Sequence, residues 1–176
     1  MKWVLTAVTK DRPGIVEDIA QIITKHQGNW VKSSMSRLGG QFAGIIQITV
    51  AKDKAQDLAS ELQTLTAKDI QITLQQDESE GDTNLQGQMA TLELTGIDHP
   101  GIVRDITHLL ANEQVTIEKL ETKIFTASMA GEPMFSATAQ IRLPEELSIA
   151  SLSKSIETIA HDIMVDINLE IDPQDH

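Results

Sequence analysis

Asp11-Arg12-Pro13-Gly14 is followed by Ile15 and Val16, and Asp98-His99-Pro100-Gly101 by Ile102 and Val103. Each stretch offers a carboxylate, a residue with a preset φ and a residue without a side chain, just ahead of an apolar run of helical spacing. Backbone N–H groups in the first turn of a helix attract carboxylates, and an aspartate beside them can accept from an ammonium group. A zwitterionic amino acid presents both charges. The same residues admit a plainer reading, in which Asp11 or Asp98 caps its helix and Pro13 or Pro100 fills the first turn. Glycine fits that reading less well, because inside a first turn it costs about 0.5–1 kcal/mol relative to alanine. Gly14 and Gly101 therefore point to a close approach by backbone or ligand.

Other chemistries find less support. His26, His99, His108, His161 and His176 form no His-x-x-x-His pair. The nearest grouping, His108 with Asp105 and Asp98, lacks tight ligand spacing, so no metal site is expected. Ser33, Ser34 and Ser36 have neither an elbow motif nor a neighbouring histidine; no catalytic residue and no cofactor is expected. Cysteine is absent, which removes disulfides and thiolate chemistry and suits a cytoplasmic location. The opening run Met1–Gly14 lacks the apolar core and cleavage site of a secretion signal, and no 18 apolar residues run together. With 26 acids against 14 Lys plus Arg, the net charge of −12 repels phosphate backbones and anionic lipid surfaces. Aromatic residues make up 3% with no tyrosine, too few for a base-stacking platform.

An internal repeat reveals the strands and helices that carry the two loops. Asp11–Ile19 and Asp98–Ile106 agree at seven of nine positions at an offset of 87. The match resumes at an offset of 93, where Phe42–Val50 lies over Phe135–Leu143, so the second copy carries six extra residues. That insertion falls in Ala127–Pro133 and reads as a longer hairpin loop. Residues 76–88 hold acids, glycines and amides with little to bury and read as a linker between domains at 1–75 and 89–172.

Within each half the periodicity changes in the same order. In the first, a buried-strand run at residues 3–9 precedes Ile15, Ile19, Ile22 and Ile23 at helical spacing. A polar extended segment from Asn29, the turn Gly39-Gly40 and the β-rich Phe42–Val50 predict a hairpin. Leu58, Leu62 and Leu65 predict a second helix, and Ile70, Ile72 and Leu74 a closing strand. Ile149, Leu152, Ile156 and Ile159, then Ile163, Val165, Ile167, Leu169 and Ile171, repeat both in the second half. The fold class is therefore α+β: two βαββαβ domains of ferredoxin-like type, each an antiparallel four-stranded sheet with two helices on one face. The same fold hosts acylphosphatases and RNA-recognition domains, but the loop lacks an anion-binding arginine arrangement and the central strands lack aromatics.

On these residues the chain resembles the ACT domains, small βαββαβ modules that commonly bind amino acids and regulate other proteins. Within them it is similar to the glycine cleavage system transcriptional repressor group, built from two such domains. The markers are DRPGIV with its echo DHPGIV, and DRPGIV followed by SRLGGQF. The resemblance implies a ligand loop of Asp11, Arg12, Pro13, Gly14 and Ile15, completed by the asparagine that begins the second strand, 15 residues after the motif glycine: Asn29. From Gly101 the same count reaches Thr116, a hydroxyl in place of an amide, beside Asp98, His99, Pro100 and Ile102. The first site is thus expected to bind more tightly, and a domain–domain interface, used by several members, would let Asn29 face the other half.

The function this resemblance implies is that of an amino-acid-responsive, non-enzymatic regulator of glycine cleavage. Its ligand would be a small amino acid, glycine or similar, and it would act as a repressor through a protein partner such as a DNA-bound transcription factor. Homo-oligomerisation is expected through the polar second strand of each half. The alternatives are a stand-alone regulatory subunit of a metabolic enzyme and a dimerisation module whose loops are only helix caps. The charge balance predicts that the purified protein does not retard duplex DNA in a gel at physiological salt; salt-sensitive retardation without an added partner would reverse that reading.

Overall fold

Alternation along Lys2–Lys10 (β1) turns Leu5, Ala7 and Thr9 to one face, and in the computed structural model all three are buried. The structure describes residues 1–77, 87–126 and 131–172. Most of the stretch read as a linker, the start of the inserted loop at Ala127 and His176 lie outside the described residues. The chain divides into two units, Met1–Gly81 and Asp82–His176.

In the first unit β1 leads to a helix, Ile15–Lys25 (α1), whose Ile15, Ile19 and Ile23 are buried. Glu17 and Asp18 in its first turn and Lys25 in its last complement the helix dipole. Two strands follow, Asn29–Leu38 (β2) and Gln41–Thr49 (β3), joined by Gly39 and Gly40 at φ +57° and +76°, as the predicted tight hairpin requires. A second helix, Ala55–Gln63 (α2), runs into a 3-10 turn at Thr64–Lys68, and Gln71–Gln76 (β4) closes the sheet in the order β2-β3-β1-β4. Leu65 falls in the 3-10 turn and is buried there, so the apolar spacing of the second helix extends past its α-helical part.

The second unit repeats this order with Gln88–Ile97 (β5), Ile102–Asn112 (α3), Thr116–Thr126 (β6), Pro133–Leu143 (β7), Ile149–Asp162 (α4) and Val165–Ile171 (β8). Its sheet runs β6-β7-β5-β8. The fold is the predicted βαββαβ arrangement, twice. Both second strands carry a bulge at equivalent places, Trp30/Lys32 and Ile117/Lys119, and each is one of the two outer strands of its sheet. Both first helices end on a glutamine at positive φ, Gln27 and Gln114, a conformation usually left to glycine.

The helix-facing sides of the strands build each core. In the first unit Leu5, Ile46 and Ile48 meet Ile19, Leu58 and Leu62, with Trp3 and Trp30 packed against the same cluster. In the second unit Leu92, Ile141 and Leu143 are buried in one cluster with Leu110, Leu152 and Ile156. Ile163, placed with the last strand by alternation, instead ends α4, and the chain turns at Met164 with φ +54° before β8 begins. Leu62→Ala is expected to cost about 2–5 kcal/mol in urea unfolding, whereas Leu38→Ala, at a side chain 84% exposed, should stay within about 0.5 kcal/mol.

Candidate functional site

Each Asp-x-Pro-Gly stretch is the passage from a first strand to a first helix, and its glycine is the helix N-cap in the left-handed region, with φ +87° at Gly14 and +104° at Gly101. An added Cβ on Gly14 would meet nothing nearer than Arg12 Nη1 at 3.8 Å. No protein atom makes a close approach at Gly14, and the positive φ by itself calls for glycine at both positions. No side chain caps α1 or α3, which corrects the expectation that Asp11 and Asp98 do so. Each aspartate lies three residues before the cap, where its own N–H closes the end of a strand pair: Asp11 donates to the Gly40 carbonyl and Asp98 to the Pro133 carbonyl, both at 2.9 Å. The first intrahelical bonds run from Asp18 N–H to the Gly14 carbonyl and from Asp105 N–H to the Gly101 carbonyl. The three N–H groups before each of them point out of the helix end.

Around the first of these helix ends the side chains form an open cleft of about 260 Å³, with Arg12, Gly14, Glu17, Arg37 and Phe42 in its wall. Pro13 is exposed beside it and Ile15 is buried beneath. Arg12 donates to Asp18 at 2.8 Å and to the Pro13 carbonyl at 3.1 Å. Asp18 is also bound by Lys68 at 2.7 Å, and the Lys68 ammonium, then the Arg12 guanidinium, hold its carboxyl below the usual carboxylate range. Arg37 reaches across from the end of β2 to Asp11 at 3.1 Å. Two guanidinium groups, each steadied by an aspartate, thus stand over an uncapped helix N-terminus, with the Glu17 carboxylate at the same wall. That set can take a carboxylate and an ammonium group together.

Residues 3–75 match the ACT domain family model. The first unit belongs to the ACT domain family. A solved structure of a protein of unknown function from Galdieria sulphuraria is 28% identical, with a TM-score of 0.83 over 98% of each chain. A protein provisionally named a glycine cleavage system transcriptional repressor is 16% identical, with a TM-score of 0.75 over 98% of each chain, and shares the fold. A DNA ligase of Magnetococcus marinus is 28% identical over 124 residues, which is 68% of this chain but spans 16% of the ligase.

Within the ACT unit, Asn29 is not brought to the loop. It begins β2 opposite Thr49, which pairs with Lys2, whereas the loop follows Lys10, which pairs with Gln41. Eight residues of strand separate the two levels, about 26 Å at 3.3 Å per residue. Thr116, opposite Arg142 at the start of β6, is likewise at the far end of its sheet from Asp98–Gly101. Glu17 and Lys68 carry no site signal in the sequence, whereas Arg37 and Phe42 fall within the marker SRLGGQF without being singled out as site residues. Asp18 does carry one, since it is among the positions repeated in the second copy, at Asp105. Trp30, beside Asn29, packs on the core.

The second loop is held differently. Where Arg12 stands in the first, His99 places Nε2 at 3.0 Å from the Ile163 carbonyl and Nδ1 at 3.3 Å from the Pro100 carbonyl. Asp105 is paired by Arg104 at 2.8 Å, which holds its carboxyl below the usual range. Pro100 is exposed and Ile102 buried. Among the described residues no three His, Asp or Glu side chains gather as a metal site; His108 contacts Asn112 at 3.2 Å, and His26 contacts Glu61 at 2.7 Å.

A neutral imidazole has one N–H and an imidazolium two, so the paired carbonyls, Ile163 first and Pro100 second, raise the His99 pKa above its ordinary value, helped by the charges of Asp105 and Asp98. A folded-state pKa above the unfolded one contributes stability that is fully present below about pH 6.5 and is lost as pH rises through the folded value. A proton-NMR titration should place His99 above the ordinary imidazole value, and His99→Gln should flatten that pH dependence of stability. A His99 value at or below the ordinary one would show that the two carbonyls do not hold the charged ring.

Proposed function

We propose that the protein is a regulator without chemistry of its own, which binds a small amino acid, glycine or one close to it, and acts through a protein partner in the control of glycine cleavage. The observation that carries the reading is the first-unit cleft, which gathers Arg12, Arg37 and three outward N–H groups, suited to a carboxylate, with Glu17, suited to an ammonium group. It lies in a unit of the ACT domain family. The two-unit plan is shared along 98% of the chain with the provisionally named repressor, which supports transcriptional control as the setting.

A net charge of −12 favours capture of a basic protein over direct contact with DNA. Among the described residues no helix is long and apolar enough to cross a membrane, and the reading places the protein in the cytoplasm. The outer strands β2 and β6 carry mostly polar, exposed side chains, and pairing of these edges between units or copies belongs to the same reading. Such pairing is also how Asn29 would join a loop, since a strand start at the far end of its own sheet can complete only the loop of another unit.

Calorimetry of the full chain against the twenty amino acids tests the ligand. Glycine or a close relative should release heat, and Arg37→Ala should weaken binding by about tenfold or more, the usual loss of a charge-assisted hydrogen bond of about 1.5–3 kcal/mol. Asn29→Ala should weaken it as well, and more than Thr116→Ala. No binding by any amino acid would return both loops to structural junctions. Recovery of a metabolic enzyme instead of a DNA-bound factor on the immobilised protein would replace transcriptional control by direct enzyme regulation.

A further inference from the structure

Each sheet has a second outer strand besides the one that carries the bulge, β4 in the first unit and β8 in the second. The two edges are covered to different degrees. The helix-facing row that runs into β4 has Ile70 at 0% exposure and Ile72 at 8%, and Leu65 of the 3-10 turn is buried in the same cluster. In the second unit α4 leads to β8 without a 3-10 turn. Along that strand Val165 alone is buried, Ile167 and Leu169 are half-buried, and Ile171 is 45% exposed.

Backbone and charge extend the contrast. Asp172 donates its N–H to the Met89 carbonyl at 3.1 Å, and in an antiparallel pair residues turned toward the neighbour alternate with residues turned away. The backbone groups of Asp166, Asn168 and Glu170 therefore face β5. Those of Val165, Ile167, Leu169 and Ile171 point to the outer side, where no strand among the described residues pairs with them. On the face away from the helices β4 presents Gln71, Thr73 and Gln75, whereas β8 presents Asp166, Asn168 and Glu170, with Glu93 of β5 opposite Asn168. Between Ser155 and Asp172 the chain has acids at Glu157, Asp162, Asp166, Glu170 and Asp172 and neither lysine nor arginine. Acids and cations nearly balance in the first unit, so most of the net charge of −12 lies on the second. Like charges directly opposite destabilise a strand pair, so this edge rejects a second copy of itself. It does not reject a basic strand, and the half-covered aliphatic row gives such a strand apolar surface to bury.

We propose that the outer edge of β8 takes up an extended, basic segment of a partner protein as a fifth strand of the second sheet. The backbone of that segment exchanges hydrogen bonds with Ile167 and Leu169, and its aliphatic side chains cover Ile167, Leu169 and Ile171. Its lysines or arginines, at alternate positions, lie beside Asp166 and Glu170. The partner is thus recognised by strict alternation of apolar and basic residues. The inference goes beyond amino-acid sensing: it rests on β8 and stands whether or not the first cleft takes glycine.

A short labelled peptide of alternating valine and lysine, titrated into the full chain, tests it by fluorescence anisotropy and by amide hydrogen exchange read by NMR. The peptide should bind, more weakly as salt is raised, and should slow exchange of the Ile167 and Leu169 amides. A peptide with the same residues in two blocks, or with glutamate in place of lysine, should bind about tenfold or more weakly. Asp166→Lys combined with Glu170→Lys, both at exposed positions, should weaken the valine–lysine peptide by about tenfold or more in a protein that circular dichroism shows to be folded. Glu121→Lys, on the opposite outer strand, should leave its binding unchanged. No binding at millimolar peptide, equal binding of the block peptide, or unprotected Ile167 and Leu169 amides in the bound state overturns the proposal. Protection of those amides in the protein alone, rising with its concentration, overturns it too and gives the edge to a second copy. A chain that binds no amino acid in calorimetry would still give the β8 result, so the two readings fail or stand separately.

Discussion

A left-handed residue at the junction of first strand and first helix governs the geometry around it in both units. With Gly14 and Gly101 at positive φ, the chain enters each helix without a side-chain cap, and the first three N–H groups are left facing outward. An L-residue with a Cβ would resist that conformation by roughly 1–2 kcal/mol. The glycine also withdraws the aspartate from the helix end. Asp11, three residues earlier, is then free to pair with Arg37 from the end of β2, and the arginine is carried over the helix terminus instead of into solvent. An Asp cap in the glycine's place would close the same terminus on itself.

On that shared junction the two units have built different surroundings. In the first, an arginine, an aspartate and a lysine from three elements form a chain of charges, Arg12–Asp18–Lys68, that ties loop to helix and helix to the 3-10 turn. Exposed pairs of this kind add little stability each. Their effect is on orientation, since a guanidinium held at one end by a carboxylate presents its remaining donors in a fixed direction. In the second unit a histidine spans two carbonyls, and the ring links the loop to the end of α4. Its hold strengthens when the ring is protonated, a state that the two carbonyls favour by raising its pKa.

The cores show the same divergence at constant fold. Exchanging Ser33 and Ile46 for Leu120 and Ala139 keeps a large aliphatic group in the cross-strand pair but moves it one strand outward. A packed interior transmits such a change as a void, because backbone positions set by the sheet ladder do not collapse to follow one side chain. The shifted rung accompanies an apolar cavity in the second unit, whereas the polar cleft of the first is lined by other residues, Arg12, Glu17 and Arg37 among them.

Much of this was legible in the residues alone. Apolar spacing of 2 and of 3.6 marks most of the strands and helices, because burial on one face is a local property of a periodic chain, and the echo of Asp11–Ile19 in Asp98–Ile106 reveals two like units. The loop too was legible as the passage from first strand to first helix in each unit. What composition and spacing could not supply was the conformation of the glycine, since capping by Asp and a left-handed cap draw on the same residue types. Nor could they show that Asn29 and Thr116 stand a full strand length from their own loops, a fact that depends on the helix running back along the sheet. Arg37, Lys68 and the Leu120/Ala139 exchange matter only through neighbours distant in sequence. Strand register and helix docking decided which charges meet at the cleft and where the core was left unfilled, because those contacts join residues that no local pattern relates.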